Sequence, residues 1–230
     1  PPQNGSGYLI PIILDAVVVG VIEIFSNIPD RFGDAELHIL QSAAAQIAVA
    51  RNNAKLYKDL QLAYDKTLEG WNMALQMREK ETAGHSQRVA GLTMKLAEKM
   101  GIPEEQKIHI WRGAMLHDIG KLVIPDYILL KSEGLDEKEW EIIRKHPVYA
   151  YEWLSPIEYL KPALDIPYYH HERWDGTGYP QGIAGEKIPL TARMFAVVDV
   201  YDALTSERTY RKAWSHEKAI QYLQQEAGRK

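Results

Sequence analysis

The chain has 230 residues, 46% of them hydrophobic and 25% charged, the balance of a folded protein with a buried core. Its net charge of -4 excludes the broad basic surface of a general nucleic-acid binder, and the absence of cysteine excludes disulfides and thiolate-bound metals. Any metal must therefore be held by imidazole and carboxylate. With no apolar run long enough to cross a bilayer and no leader pattern, the expected compartment is the cytoplasm.

In chain order, Pro1 is not a start residue, and the opening segments read as the latter part of a domain. Tyr8–Leu14 and Ala16–Phe25 are β-branched, apolar runs on either side of Asp15, predicting two antiparallel strands. Asn27-Ile-Pro-Asp breaks the pattern, and Asp34 is a plausible N-cap for a long helix. Along it Leu37, Leu40, Ala44, Ile47, Ala50, Ala54, Tyr57, Tyr64, Leu68, Trp71 and Leu75 recur mostly at steps of three and four. A helix from Asp34 to about Met77 would be roughly 65 Å long. It reads either as one core helix running into another or, the favoured reading, as a connecting helix that pairs with its copy in a dimer, with Leu68 and Leu75 in the seam.

From Glu79 onward the pattern is helical. Pro103 before Glu104 and Glu105 suits a helix first turn, and Asp136 with Glu139 has capping-box spacing. Arg173–Pro189 is a loop rich in glycine and proline.

Five of the eight histidines sit where packing alone does not explain a polar ring. Glu81 and His85 are four apart and share a helix face, which a solvated surface also explains. His117-Asp118 closes an amphipathic run, where a carboxylate needs a cation or several hydrogen bonds; a hydrogen-bonding pair at a helix end is the alternative. His146 follows Arg144 and Lys145 and, taken alone, is a partner for the C-terminal dipole of its helix. His170-His171 precedes the glycine-rich loop, and Asp199 lies in an apolar helical stretch. Together, five histidines and three acidic residues fit one buried cluster in a helical bundle, as in carboxylate-bridged dimetal sites.

These residues also carry a resemblance. His117-Asp-Ile-Gly-Lys121 is similar to the H-D-x-G-K signature of the HD superfamily of phosphohydrolases, and His170-His-Glu-Arg-Trp-Asp-Gly-Thr-Gly-Tyr-Pro180 resembles the signature of its HD-GYP branch. Glu81-Thr-Ala-Gly-His85, His146-Pro147, Ile188-Pro-Leu and Asp199-Val-Tyr-Asp-Ala-Leu-Thr-Ser206 follow in the family's order. The first 55 or so residues, through Arg51–Tyr57, resemble the C-terminal part of a GAF domain, a sensor module. The resemblance implies a mostly α chain: a GAF-like α+β fragment over 1–55, a connecting helix over 56–76 and an HD-type helical bundle over 77–230.

It further implies a phosphodiesterase of signal transduction that opens the second messenger cyclic di-GMP to pGpG and on to GMP, using a hydroxide shared by two metal ions. Asp118 would bridge the ions, helped by His85, His117, His146, His170, His171 and Asp199, with Glu81 at a third. Lys121 would contact the phosphate, and Tyr179, Arg208 and Arg211 would approach the dinucleotide. The expected cofactors are two or three divalent ions, iron or manganese, and the expected partners are a second copy of the chain and a diguanylate cyclase met through the Gly-Tyr-Pro loop. The alternatives are a silent cyclic-dinucleotide receptor or protein-interaction module, or a hydrolase of a related cyclic dinucleotide. Thr209, where the family often has proline, and the end of the chain at Lys230 are departures outside the ligand set.

Overall fold

The computed structural model describes residues 5–79, 84–207 and 212–229. Its strands are β1 (Ser6–Leu14) and β2 (Val17–Ser26), paired antiparallel with Leu14 opposite Val17 and an irregularity between Ile12 and Ile13. The two-residue turn between them uses positive φ at Asp15 (49°) and Ala16 (64°), the combination that matches the right-handed twist of a hairpin. The helix α1 then runs without interruption for 46 residues, from Asp34 to Glu79, with Asp34 and Glu36 in its first turn, where the helix dipole favours negative charge.

Two compact units divide at Tyr64/Asp65. In the first, Ile10, Ala44 and Ala48 are buried, and Arg51 donates to the carbonyl of Val19, tying α1 to the hairpin. Leu9, Val17, Val21 and Phe25 are exposed, so the hairpin buries little of its apolar surface within this unit.

The second unit contains the last turns of α1 and the helices α2 (His85–Lys99), α3 (Glu104–Met115), α4 (Asp126–Leu129), α5 (Glu137–Ile143), α6 (His146–Leu154), α7 (Asp165–Tyr169), α8 (Leu190–Thr205) and α9 (His216–Gln225). The expected capping box is present: Asp136 accepts from the Glu139 N–H and Glu139 accepts from that of Asp136. Two apolar clusters form the core. One gathers Val89, Ile110, Met115, Ile166, Phe195 and Val198 from α2, α3, α7 and α8. The other gathers Leu68, Leu116, Ile119, Ala150, Leu154 and Leu160.

This packing corrects the reading of α1. Leu68 and Leu75 are 4% and 3% exposed, buried within the helical unit itself, so neither is available to a seam between two copies. A spacing of three and four marks a buried stripe, and the sequence does not say whether the same chain or another covers it. Among the described residues no helix is long and apolar enough to cross a membrane.

Candidate metal centre

The two core clusters meet at the end of α3, where Met115 belongs to one and Leu116 and Ile119 to the other. His117 and Asp118, the two residues between these anchors, have side chains that are buried. A single 3-10 turn, Ile119–Val123, follows at once and carries Lys121. Gly120 permits this course, because a Cβ there would collide with the backbone of His146 and Ala150 at the start of α6.

His146 opens α6, with Pro147 in its first turn, rather than closing the helix before it. Its buried ring still turns back to the end of α5, Nδ1 lying 2.8 Å from the carbonyl of Ile143, the last residue of that helix, so the dipole reading holds for Nδ1 while Nε2 faces His170. His170 and His171 follow α7 directly, at the start of the loop that reaches Tyr179. That loop is fastened by Glu172, whose Oε1 accepts from the N–H groups of Gln181 (2.6 Å) and Gly182 (3.2 Å). At Gly178 a Cβ would strike the backbone of His171 and Glu172, so only glycine lets the loop fold back this closely. His85 begins α2 and Asp199 lies on α8.

These elements bring seven of the expected residues into two adjoining groups. Asp118, His146, His170 and His171 form one and His85, His117 and Asp199 the other, the ligand atoms within each lying within 4.8 Å of one another. Asp118 reaches both: its Oδ2 is 3.0 Å from His117 Nε2, and its Oδ1 is 3.3 Å from His146 Nε2 and 3.8 Å from His170 Nε2. His85 Nε2 is 3.3 Å from Asp199 Oδ1.

The fit to metal ions can be tested on the rings themselves. Nδ1 of His117 lies 2.8 Å from the Ala114 carbonyl, that of His146 2.8 Å from Ile143, and that of His170 3.0 Å from Ile166. A carbonyl only accepts, so each Nδ1 carries a proton, and in the neutral ring each Nε2 is left with the lone pair that a metal would take. The Nε2 atoms of His146 and His170 face each other at 3.2 Å. The separation suits two imidazoles on one ion, since neighbouring ligands at about 2.1 Å lie roughly 3 Å apart.

The electrostatics agree. Burial, with the neighbouring His146 and His117, pushes His170 down to about 3, and burial lowers His171 well below its usual value, so both rings stay neutral. Burial would raise Asp118, but His117 and Lys121 outweigh it and hold the carboxylate well below its usual range. The Lys121 ammonium is 2.7 Å from Asp118 Oδ2 and 3.5 Å from Glu79 Oε1. Tyr179 stacks on His171 at 4.6 Å, and burial and the nearby Asp118 push its hydroxyl upward, so it remains a donor. Glu81, Arg208 and Arg211 lie outside the described residues.

Asp202 was not singled out from the sequence. Its buried carboxylate accepts from His85 Nδ1 (2.8 Å) and from Arg88 Nε and Nη2 (2.8 and 3.0 Å). This orients the His85 ring so that Nε2 faces Asp199. The signal was present: Asp202 is three residues after Asp199 on one helix face.

A family model described as HD domain matches residues 71–230, and one described as GAF domain matches residues 2–50. The cyclic di-GMP phosphodiesterase response regulator RpfG of Xanthomonas campestris is 41% identical over 166 residues, 71% of this chain and 44% of its own length. The 3'3'-cGAMP-specific phosphodiesterase 2 of Vibrio cholerae is 34% identical over 208 residues, 90% of this chain and 40% of its own. A cyclic di-GMP phosphodiesterase of Thermotoga maritima is 39% identical over 168 residues, 71% of this chain and 45% of its own. The chain thus spans less than half the length of these curated relatives. Among solved structures, a cyclic GMP-AMP specific phosphodiesterase of V. cholerae superposes with a TM-score of 0.54 at 17% identity, over 71% of this chain and 44% of that one, a likeness of fold.

Proposed function

The chain belongs to the HD domain family, and on that premise we propose that it is a metal-dependent phosphodiesterase that hydrolyses cyclic di-GMP to linear pGpG and on to GMP. The observation that carries this reading is the reach of Asp118 into both ligand groups, which lets one carboxylate join two cations. The ions supply, when bound, an acidified water for attack on phosphorus and positive charge against the phosphoryl oxygens. With only nitrogen and oxygen donors in the set, iron or manganese is the proposed metal. Glu81 is proposed for a third ion, being one helical turn before His85 in sequence spacing.

In hydrolysis a water oxygen bonds to phosphorus, the bond from phosphorus to the 3′ oxygen breaks, and that oxygen takes up a proton. Lys121, its ammonium 2.7 Å from Asp118, is proposed to meet a phosphoryl oxygen as charge builds on it. Tyr179, held by its stack on His171, offers a hydroxyl proton at the rim, and Arg208 and Arg211 are proposed to approach the dinucleotide. Exposed Leu56, Tyr57, Leu60 and Tyr64 support a homodimer formed through the first part of the connecting helix proposed over 56–76. The Gly-Tyr-Pro loop is the proposed contact for a diguanylate cyclase.

A second reading, hydrolysis of 3'3'-cGAMP, is favoured by the Vibrio relative that matches over 90% of this chain. Anaerobic purification, metal analysis and incubation with each dinucleotide, followed by chromatography, separates the two. Linear pGpG or GMP from cyclic di-GMP is expected; cleavage of 3'3'-cGAMP alone would select the second reading, and cleavage of neither would reject both.

A further inference from the structure

The segment that carries the reactive residues is fastened at both ends to α1. Upstream, Arg112 on α3, five residues before His117, is 2% exposed and pairs with Asp65 of α1 through Nε at 2.7 Å. Between the two ends, Leu68 of α1 packs with Leu116 and Ile119 on either side of the His-Asp pair. Downstream, Arg78 in the last turn of α1 donates from Nη1 to the carbonyls of Leu122 (2.8 Å) and Lys121 (3.3 Å), and from Nη2 to that of Ile124 (2.6 Å). Asp126 steadies the same guanidinium from the far side, accepting from Nε at 2.8 Å.

We propose that Arg78 is a positioning residue for Lys121, and that the last turns of α1 are the mount on which the catalytic segment is held. The 3-10 turn Ile119–Val123 is short: the Lys121 carbonyl accepts from the Ile124 N–H, which closes the turn, and the carbonyls of Leu122 and Ile124 lie at its end. A planar guanidinium reaches all three carbonyls at once, which ties the turn and the residue after it to α1. Lys121 sits within that turn, so its reach to Asp118 depends on where the turn is held. The next residue of α1, Glu79, adds a carboxylate 3.5 Å from the Lys121 ammonium, so one helix turn holds both the backbone and the charge of Lys121. A lysine at position 78 keeps the charge but cannot present the same fork to three carbonyls. The inference rests on the hydrolase reading, because the placement of Lys121 matters to rate only where it meets a phosphate.

The test compares Arg78→Lys and Arg78→Ala with the parent protein and with the same changes made in Lys121→Ala, using cyclic di-GMP and bis(p-nitrophenyl) phosphate as substrates. A displaced Lys121 should lower kcat by about tenfold to a hundredfold, with bound metal unchanged. In the Lys121→Ala background the Arg78 changes should cost nothing more, because Arg78 acts through Lys121. Equal fractional losses in both backgrounds, or an Arg78→Lys protein with unaltered kcat, would overturn the proposal. The aryl diester separates this outcome from a wrong substrate: a parent protein that cleaves it but no cyclic dinucleotide refutes the proposed substrate and leaves the Arg78 comparison fully readable.

Discussion

The two ligand groups are built differently. In the group of Asp118, His146, His170 and His171, the rings of His146 and His170 are oriented by backbone carbonyls three or four residues earlier, so their direction is set once the local helices form. In the group of His85, His117 and Asp199, the ring of His85 is oriented by a side chain, Asp202, which is itself held by Arg88. His146 and His170, and His117 through the Ala114 carbonyl, are thus as rigid as their helices, whereas His85 depends on a side-chain relay that one substitution can break without disturbing a backbone. Asp118 is where the difference disappears, since it reaches ligand rings in both.

The largest expected effect erases the comparison. Asp118→Ala removes the shared carboxylate and leaves His117, His146 and Lys121 facing one another without it. Both groups should lose metal, and hydrolysis should fall on the order of a thousandfold or more, as when residues that act as a unit are broken. Metal analysis beside turnover checks this. Retention of full metal and rate would mean that the two groups do not share Asp118.

A smaller effect sharpens it. Asp202→Asn keeps the shape of the side chain but weakens its hold on His85 Nδ1 and on Arg88. Metal affinity at the group of His85 should fall by about tenfold to a hundredfold, the usual cost of losing an outer partner of a ligand histidine, while the group of His146 is unaffected. A metal titration followed by calorimetry should then separate into two steps. A single step weakened as a whole would show that the relay supports both groups.

What the sequence showed and hid follows the same division. The hairpin, the capping box and the ligand types were legible because they rest on neighbours in the chain: two runs around Asp15, Asp136 three residues before Glu139, a histidine beside an aspartate. The family resemblance supplied the grouping that spacing alone could not. What stayed hidden depends on which surface lies opposite. Leu68 and Leu75 have the periodicity of a seam and are core. His146 follows two basic residues, as at a helix end, and does meet the last carbonyl of α5, but it also opens α6, and nothing local says that its Nε2 faces His170. Asp202 and Arg78 find partners more than forty residues away; Asp202 is marked only by its step of three from Asp199, and nothing in the local pattern marks Arg78.

Protons should distinguish the two groups by degree. Burial opposes charge on His117, but the carboxylate of Asp118, 3.0 Å from Nε2, outweighs it and raises the ring above its ordinary 6.5. His170 is held near 3 by burial and by the rings around it, and burial keeps His171 low as well. As pH falls, the metal-free protein should therefore protonate His117 first, on the nitrogen a metal would use, while His170 and His171 keep their lone pairs. The sign for folding follows. A raised pKa contributes stability below the unfolded value and loses it as pH rises through the folded one, so the His117–Asp118 pair stabilises the metal-free protein on the acid side and fades as pH rises through the folded pKa of His117. Metal reverses this, because an ion must displace that proton, and its affinity for the group of His85 should weaken by about tenfold per pH unit below the folded pKa of His117. Histidine nitrogen NMR of the metal-free protein measures both midpoints, and a His170 that titrates above His117 would invert the order in which the groups release their metal.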